Sequence, residues 1–403
     1  MSDRACCVCH SPSANVFIEL LNLPVYCNLL WSDAQQAKDC PKGDIRLAYC
    51  DRCGAITNVA FDPTRLGYSQ EYENSLHYSP RFQAYADELA QRLVTKHQLY
   101  DKKIIEIGCG KGDFLVSLCQ LGNNSGIGFD NSYIEREEHS EWGDRIQFIQ
   151  DFYSERYAHY QGDLICCRQV LEHIQQPADL LGPLRKTINP STTLFFEVPN
   201  ALYTFRNMMI WDIIYEHCTY FTATSLSYAF AANGYQTSEV QDEFGGQFIS
   251  IEAQPVLEPV SPSIGLEADL GVDLRAIADL TTDIAQFKDR FQLQKQQWQV
   301  RFDALFAEGK KVVIWGAGSK GVTFLNLLTM QDRIEYAVDI NPRKQNKFIP
   351  GTGQKIVSPE AMLHYSPDVV IVMNPLYQQE VKSALQAMGL TPQVVTTDSD
   401  SNR

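Results

Sequence analysis

Two segments share one layout: KKIIEIGCGKGDFL at 102–115 and KKVVIWGAGSKG at 310–321. Each sets a short run of buried-strand residues before a glycine-rich turn and a helix-like stretch. A strand that runs straight into a helix needs a crossover to reach its next neighbour, so each segment predicts a mostly parallel sheet flanked by helices. The runs GIGFD, DLICCRQV and TLFFEVPN continue the alternation after the first segment, and IEYAVD and DVVIVM after the second. The chain is therefore expected to hold two α/β units. Between them, after the proline-containing PVLEPVSPS, lies LRAIADLTTDIAQFKDRFQLQKQQWQVRFDALF. There Leu274, Ile277, Leu280, Ile284, Phe287 and Phe291 recur at three- and four-residue steps, which predicts a long amphipathic helix. The expected division is 1–80, an irregular cysteine-rich lobe; 81–258, the first α/β unit; 259–308, a helical linker; and 309–403, the second unit, ending in a frayed TTDSDSNR tail.

Composition narrows the partners. The chain has 403 residues and a formal net charge of −15, with 44% hydrophobic and 21% charged residues. A surface this acidic disfavours nucleic acid and anionic membrane, so any bound anion needs a local basic cluster. No apolar run approaches the ~20 residues of a membrane span. The opening MSDRACCVCH lacks the basic-then-apolar layout of a signal peptide. Twelve cysteines in a chain too large to need disulfide staples predict a reduced, cytoplasmic protein.

Four of those cysteines form two knuckles, Cys6-x-x-Cys9 and Cys50-x-x-Cys53, the second closed by Gly54. Two short turns offering two sulfurs each suit a tetrahedral thiolate site, and zinc is the expected ion. With four protein ligands the site has no open position, so its role is structural, and metal loss is expected to loosen the amino-terminal lobe before the core. Cys7 and His10 compete for the first knuckle, and Cys27 and Cys40 are spare.

In the first glycine loop, Glu106 ends the strand and Gly108, Gly110 and Gly112 let the backbone turn tightly beside a ligand. Asp130 ends the next strand, where it can bond a ribose diol. Asp151 in QDF suits an adenine amine. With its opening acidic residue, this pattern resembles the first motif of the class I S-adenosylmethionine methyltransferases. DLICCRQVLEHIQQP is similar to their fourth-strand motif, with Gln169 at the pocket and Glu172-His173 as a loop pair that closes it. The second loop, Gly316-Ala-Gly318-Ser-Lys-Gly321 with Asp339 further on, satisfies a dinucleotide fingerprint, so a nicotinamide oxidoreductase is a rival reading. Beside it, DINPRKQNK gathers Arg343, Lys344 and Lys347, a cluster suited to a diphosphate.

Tyr215-Glu216-His217 precedes a helix with Thr222 or Thr224 as its cap, and DEFGGQ follows with Gly245-Gly246. With these residues on the page, nearly the whole chain resembles the sugar-nucleotide C-methyltransferases. The resemblance rests on the cysteine knuckles, LNLPVYCNLL between them, the donor motif, E-H before TYFTATS, the double glycine, and GAGSKG with DINPRKQNKFIPG. It implies a class I methyltransferase core between a small zinc-binding lobe and a second Rossmann-like domain, with S-adenosylmethionine and zinc as cofactors. It also implies a nucleotide-sugar partner held between core and terminal domain by Gly246, Lys320, Arg343, Lys344 and Lys347. By position, Glu216 and His217 match the family's E-H pair, and Tyr72 in QEYEN matches a tyrosine just after the zinc lobe. The family's I-Y-x-E-H is altered here, with Ile214 two places before the glutamate and Tyr215 adjacent to it. Either the loop is one residue shorter or the proton-transfer tyrosine is missing, which leaves methylation at oxygen or nitrogen of a related glycan precursor as an alternative. The expected chemistry is removal of a proton next to a ketone by His217, oriented by Glu216. Tyr215 or Tyr72 then stabilises the enolate before methyl transfer to carbon.

Overall fold

The structure, a computed structural model, describes residues 5–12, 15–67, 71–256, 273–329 and 333–398. Most of the proline-containing stretch before the long helix, and the last five residues of the tail, lie outside the described residues.

The segment read as irregular is a sheet. Strands β1 (Asn15–Pro24), β2 (Lys42–Tyr49) and β3 (Ile56–Asn58) pair antiparallel, with a short helix α1 (Ala34–Lys38) between the first two. The fourth strand, β9 (Thr219–Tyr220), arrives from far downstream and pairs with β3, Ile56 opposite Tyr220 and Thr57 opposite Thr219. Strict alternation is broken in β1 by two register shifts, which is why the sequence pattern hid it.

The central unit opens with α2 (Pro80–Lys96), capped by Ser79. Strands β4 (Lys103–Ile107), β5 (Ser125–Phe129), β6 (Ile146–Ile149), β7 (Leu164–Arg168), β8 (Thr193–Pro199), β10 (Tyr235–Glu243) and β11 (Phe248–Pro255) make one sheet ordered β10-β11-β8-β7-β4-β5-β6. β4 through β8 pair parallel, and β11 runs antiparallel between β8 and β10. This is the class I methyltransferase arrangement. Helices α3 (Asp113–Gly122), α4 (Ala178–Thr187), α5 (Ala201–Arg206) and α6 (Ala223–Ala232) join it. Thr222, not Thr224, caps α6, in a capping box with Ser225.

The long helix α7 (Leu274–Ala307) buries Ile277, Leu280, Ile284, Phe287 and Phe291 as the spacing predicts, and continues the stripe through Trp298 and Phe302. Leu274, placed on that stripe by the sequence, is 68% exposed. The helix does more than connect: one apolar cluster joins Ile45 and Ile56 of the lobe, Phe205 and Trp211 of the core, Phe287 and Trp298 of α7, and Phe324 and Ile371 of the last unit.

That last unit has strands β12 (Val312–Trp315), β13 (Tyr336–Val338), β14 (Lys355–Val357), β15 (Val369–Val372) and β16 (Gln393–Thr396), all parallel in the order β14-β13-β12-β15-β16. Helices α8 (Ser319–Leu327), α9 (Met362–Tyr365) and α10 (Gln378–Ala387) complete it. Among the described residues no helix is long and apolar enough to cross a membrane.

Candidate active site

The donor loop leaves β4 after Ile107, with Glu106 as the strand's penultimate residue. Gly108, Gly110 and Gly112 all take the left-handed region, at φ +73°, +55° and +86°. A Cβ on Gly108 would lie 2.1 Å from Val170 Cγ2, and one on Gly112 2.5 Å from Phe148, whereas at Gly110 nothing lies within 4 Å. Gly110 therefore fronts open space at the amino end of α3, where a ligand's backbone contacts would fall. The Gly110 N–H donates to Asp130 Oδ2 at 2.8 Å, and Ser132 donates twice to Oδ1. Three of the carboxylate's acceptor positions are thus used in holding the loop, leaving one toward a ribose. Glu106 is 3% exposed with Oε2 unpartnered; burial pushes its carboxyl up to about 8, while the Arg168 charge pulls it back.

Gln169, at φ +56°, donates to Glu197 Oε1 at 3.1 Å, an oxygen it shares with Arg168. Tyr85 bonds the other Glu197 oxygen, so a buried network fixes the floor of the pocket. Asp151 is engaged by Arg156 and by the Tyr157 hydroxyl at 2.5 Å, so an adenine amine would have to share it. The residues of the donor site (glycine loop, Asp130, orphaned Glu106 oxygen) fit S-adenosylmethionine.

Beyond the donor loop two E-H pairs are laced together. The Cys218 N–H donates to the Glu172 carbonyl at 2.9 Å, and His173 Nδ1–H donates to the Glu216 carbonyl at 3.0 Å. The His173 and His217 rings stand edge-to-face at 4.9 Å. Glu216 and His217 point to different neighbours. The Glu216 Oε2 accepts from Cys27 N–H at 2.8 Å. Burial pushes its carboxyl up to about 7, against Tyr72 and Lys344, which favour the anion. His217 faces His173, and burial lowers its basicity well below the ordinary histidine range. Glu216 therefore does not orient His217 as the sequence reading expected.

Tyr215 is also displaced. Its ring packs on Gly43 and Phe61, and its hydroxyl accepts from Asp62 N–H at 3.0 Å beside a polar cavity of about 740 Å³ in the lobe. It is not brought to His217. Tyr72 reaches Glu216 instead, from the segment that pairs with Leu29.

The cations of the terminal domain do not gather in one cluster. Arg343 pairs with buried Glu73 at 2.9 Å, Lys347 with Ser32 at 2.8 Å, and Lys320 with Asp212. Lys344 turns inward, buried, bonds Asn28 Oδ1 at 3.1 Å, and sits 3.6 Å from where a Cβ of Gly318 would be. Asp339 is held by the N–H groups of Ala317 and Asn341. Gly246, at φ +85°, faces Tyr203, and its neighbour Gln247 exchanges two hydrogen bonds with Asn374, tying core to terminal domain. Lys111, inside the donor motif but missed there, is a buried ammonium without a hydrogen-bond partner, facing Glu73 and Arg343.

In the lobe, Cys6 and Cys53 sulfurs lie 3.6 Å apart, Cys9 and Cys50 3.5 Å, and all four within 4.8 Å of one another. Ligands 2.3 Å from a tetrahedral ion would be about 3.8 Å apart. Cys7 turns to Thr57 and Thr219, which takes it out of the knuckle. The four sulfurs make a fitting tetrathiolate metal site.

Comparison with known proteins agrees with this architecture. Residues 77–240 match the methyltransferase domain family, and residues 253–391 the family of C-methyltransferase C-terminal domains. The second match places the second glycine loop in a methyltransferase's terminal domain. The C-methyltransferase NovU of Streptomyces niveus is 27% identical over 226 residues, 54% of this chain and 52% of that protein. A ubiquinone biosynthesis O-methyltransferase of Escherichia coli O127:H6 is 26% identical over 107 residues, 25% of this chain and 45% of that one. The matches thus span about half the length of these relatives. Among solved structures, magnesium protoporphyrin IX methyltransferase from Synechocystis PCC 6803 with bound SAH aligns at 16% identity and a TM-score of 0.34, covering 44% of this chain and 84% of that one.

Proposed function

We propose that the protein is an S-adenosylmethionine-dependent C-methyltransferase acting on a nucleoside-diphosphate-linked ketosugar, with zinc in the four-cysteine site. The observation that carries this reading is the C-methyltransferase C-terminal domain at 253–391, joined to a core whose glycine loop has the donor fit. The convergence of Glu216, Tyr72 and Lys344 supports an acceptor held where lobe, core and terminal domain meet.

When bound, S-adenosylmethionine supplies an electrophilic methyl. The chain's residues do the rest. Lys344 and Lys320, with the amino end of α8 behind Gly318, attract a diphosphate. His217, kept neutral by burial, takes the proton next to the ketone. Tyr72, whose hydroxyl bonds Glu216 in the free chain, gives up that contact to donate to the developing enolate oxygen in place of Tyr215, which is committed to the lobe. Cys6, Cys9, Cys50 and Cys53 would hold zinc with four protein ligands and no open position, so it would organise the lobe and leave the transfer to the core.

Labelled donor incubated with a panel of nucleotide-linked ketosugars, followed by mass spectrometry, tests this. Label on a ring carbon is expected. Label on oxygen or nitrogen, or on no sugar nucleotide in the panel, would overturn the acceptor assignment.

A further inference from the structure

Glu172 is buried at 1% exposure, and both of its oxygens are buried without a hydrogen-bond partner. Such a group is costly to bury, and a native protein keeps it for a reason. Its surroundings supply one. One ligand atom each from Glu172, His173 and His217 lie within 4.8 Å of one another, with His173 Nε2 3.9 Å from Glu172 Oε1. His173 spends its ring proton on the Glu216 carbonyl through Nδ1, so its Nε2 carries no proton to offer an anion. Of the two rings beside Glu172, only His217 is left to donate.

We propose that Glu172, rather than Glu216, is the positioning residue for His217: its carboxylate accepts the imidazole N–H turned toward it and leaves the other ring nitrogen bare for the acceptor's carbon-bound proton. From within 4.8 Å, a closure of at most about 2 Å brings the pair to hydrogen-bond reach, as catalytic contacts tighten around a bound ligand. In the step itself the C–H bond breaks, its electron pair becomes the enolate, and the proton forms an N–H on His217. The resulting imidazolium is paired with the Glu172 carboxylate, and the proton returns to solvent after methyl transfer. Protonated Glu172 instead donates to the unprotonated His173 Nε2 and gives up its hold on His217. The charged and titratable groups facing the pair are His173, Lys320, Tyr220, Cys167, Cys218 and Glu197. Burial moves Glu172 up to about 8, which puts the switch between its two forms within an accessible pH range.

The catalytic meaning rests on the proposed enolate chemistry, but the contact can be tested without any acceptor. Nitrogen-15 histidine spectra of the zinc-loaded full chain with S-adenosylhomocysteine added are followed from pH 6 to 9 in the wild type, Glu172→Gln and Glu216→Gln. The expected result is a His217 tautomer signature that changes with pH in the wild type and Glu216→Gln and becomes pH-invariant in Glu172→Gln. Carbon-13 carboxyl titration gives a second route should Glu172→Gln not fold: His217→Gln should raise the Glu172 midpoint, because the anion loses its donor. A His217 signature that follows Glu216→Gln and ignores Glu172→Gln, or a Glu172 midpoint indifferent to His217→Gln, overturns the proposal. So does a second bound metal ion per chain that disappears in Glu172→Gln, since the three residues would then be ligands. If the contact is found while no ketosugar is methylated, the acceptor assignment fails and this one stands.

Discussion

Gly108 and Gly110 differ in what a side chain would meet, so they predict different failures. Gly108→Val drives a Cβ into Val170 from a backbone conformation valine resists, and should cost both fold stability and donor binding. A Cβ on Gly110 meets no protein atom within 4 Å, so Gly110→Val adds backbone strain without a clash, and calorimetry should show donor affinity lost with a smaller change in Tm than Gly108→Val gives. Asp130→Ala should weaken donor binding by about 1–3 kcal/mol, part of it through the freed Gly110 N–H. Glu106 predicts a pH dependence. Its folded value of about 8 lies above the ordinary carboxylate range, so the folded chain holds a proton that the unfolded chain releases. The stability it contributes is complete below the unfolded value and is lost as pH rises through the folded one, on the order of 1 kcal/mol per pH unit. Melting from pH 5 to 9 should fall less steeply in Glu106→Gln than in the wild type. The glycines, Asp130 and the four knuckle cysteines were legible because their chemistry is local: turn, strand end, x-x spacing. Which neighbour Glu216 or Tyr215 faces was not, because adjacent residues on an irregular segment diverge, and their partners, Cys27 and Asp62, belong to another part of the chain.

At the scale of elements, strands β4, β5, β7, β8, β12, β13 and β15 were legible as apolar runs, since burial on both faces makes them continuous, whereas β6, β10, β11, β14 and β16 were not singled out. The lobe was not, because its strands are bulged or short and its fourth strand has two residues. Helix α7 was read as a connector because periodicity reveals an apolar face but not what covers it. Phe287, fully buried against Phe205 and Phe291, should cost about 3–5 kcal/mol on replacement by alanine, measurable by denaturant titration. The loss should appear in a transition common to core and terminal domain.

For the whole molecule, the four-cysteine site and the core are not separable. Cys6, Val8, Cys50 and Cys53 share an apolar cluster with Phe196, Phe221 and Tyr228 of the core, and Cys7 touches Thr219. The sequence-based expectation that metal loss loosens the lobe first therefore changes. Metal analysis should find one zinc per chain, and chelation should lower a single Tm rather than split the melt in two. The two-residue strand β9 carries a further consequence. It begins two residues after His217 and takes its ladder partner, β3, from the lobe. A chain shortened to begin after the lobe would keep the donor loop yet leave Thr219 and Tyr220 as an open sheet margin, beside uncovered Phe205, Ile214 and Tyr215. Open margins next to apolar side chains recruit other chains. Such a fragment should self-associate and sediment, so the lobe's value to this protein includes covering that margin.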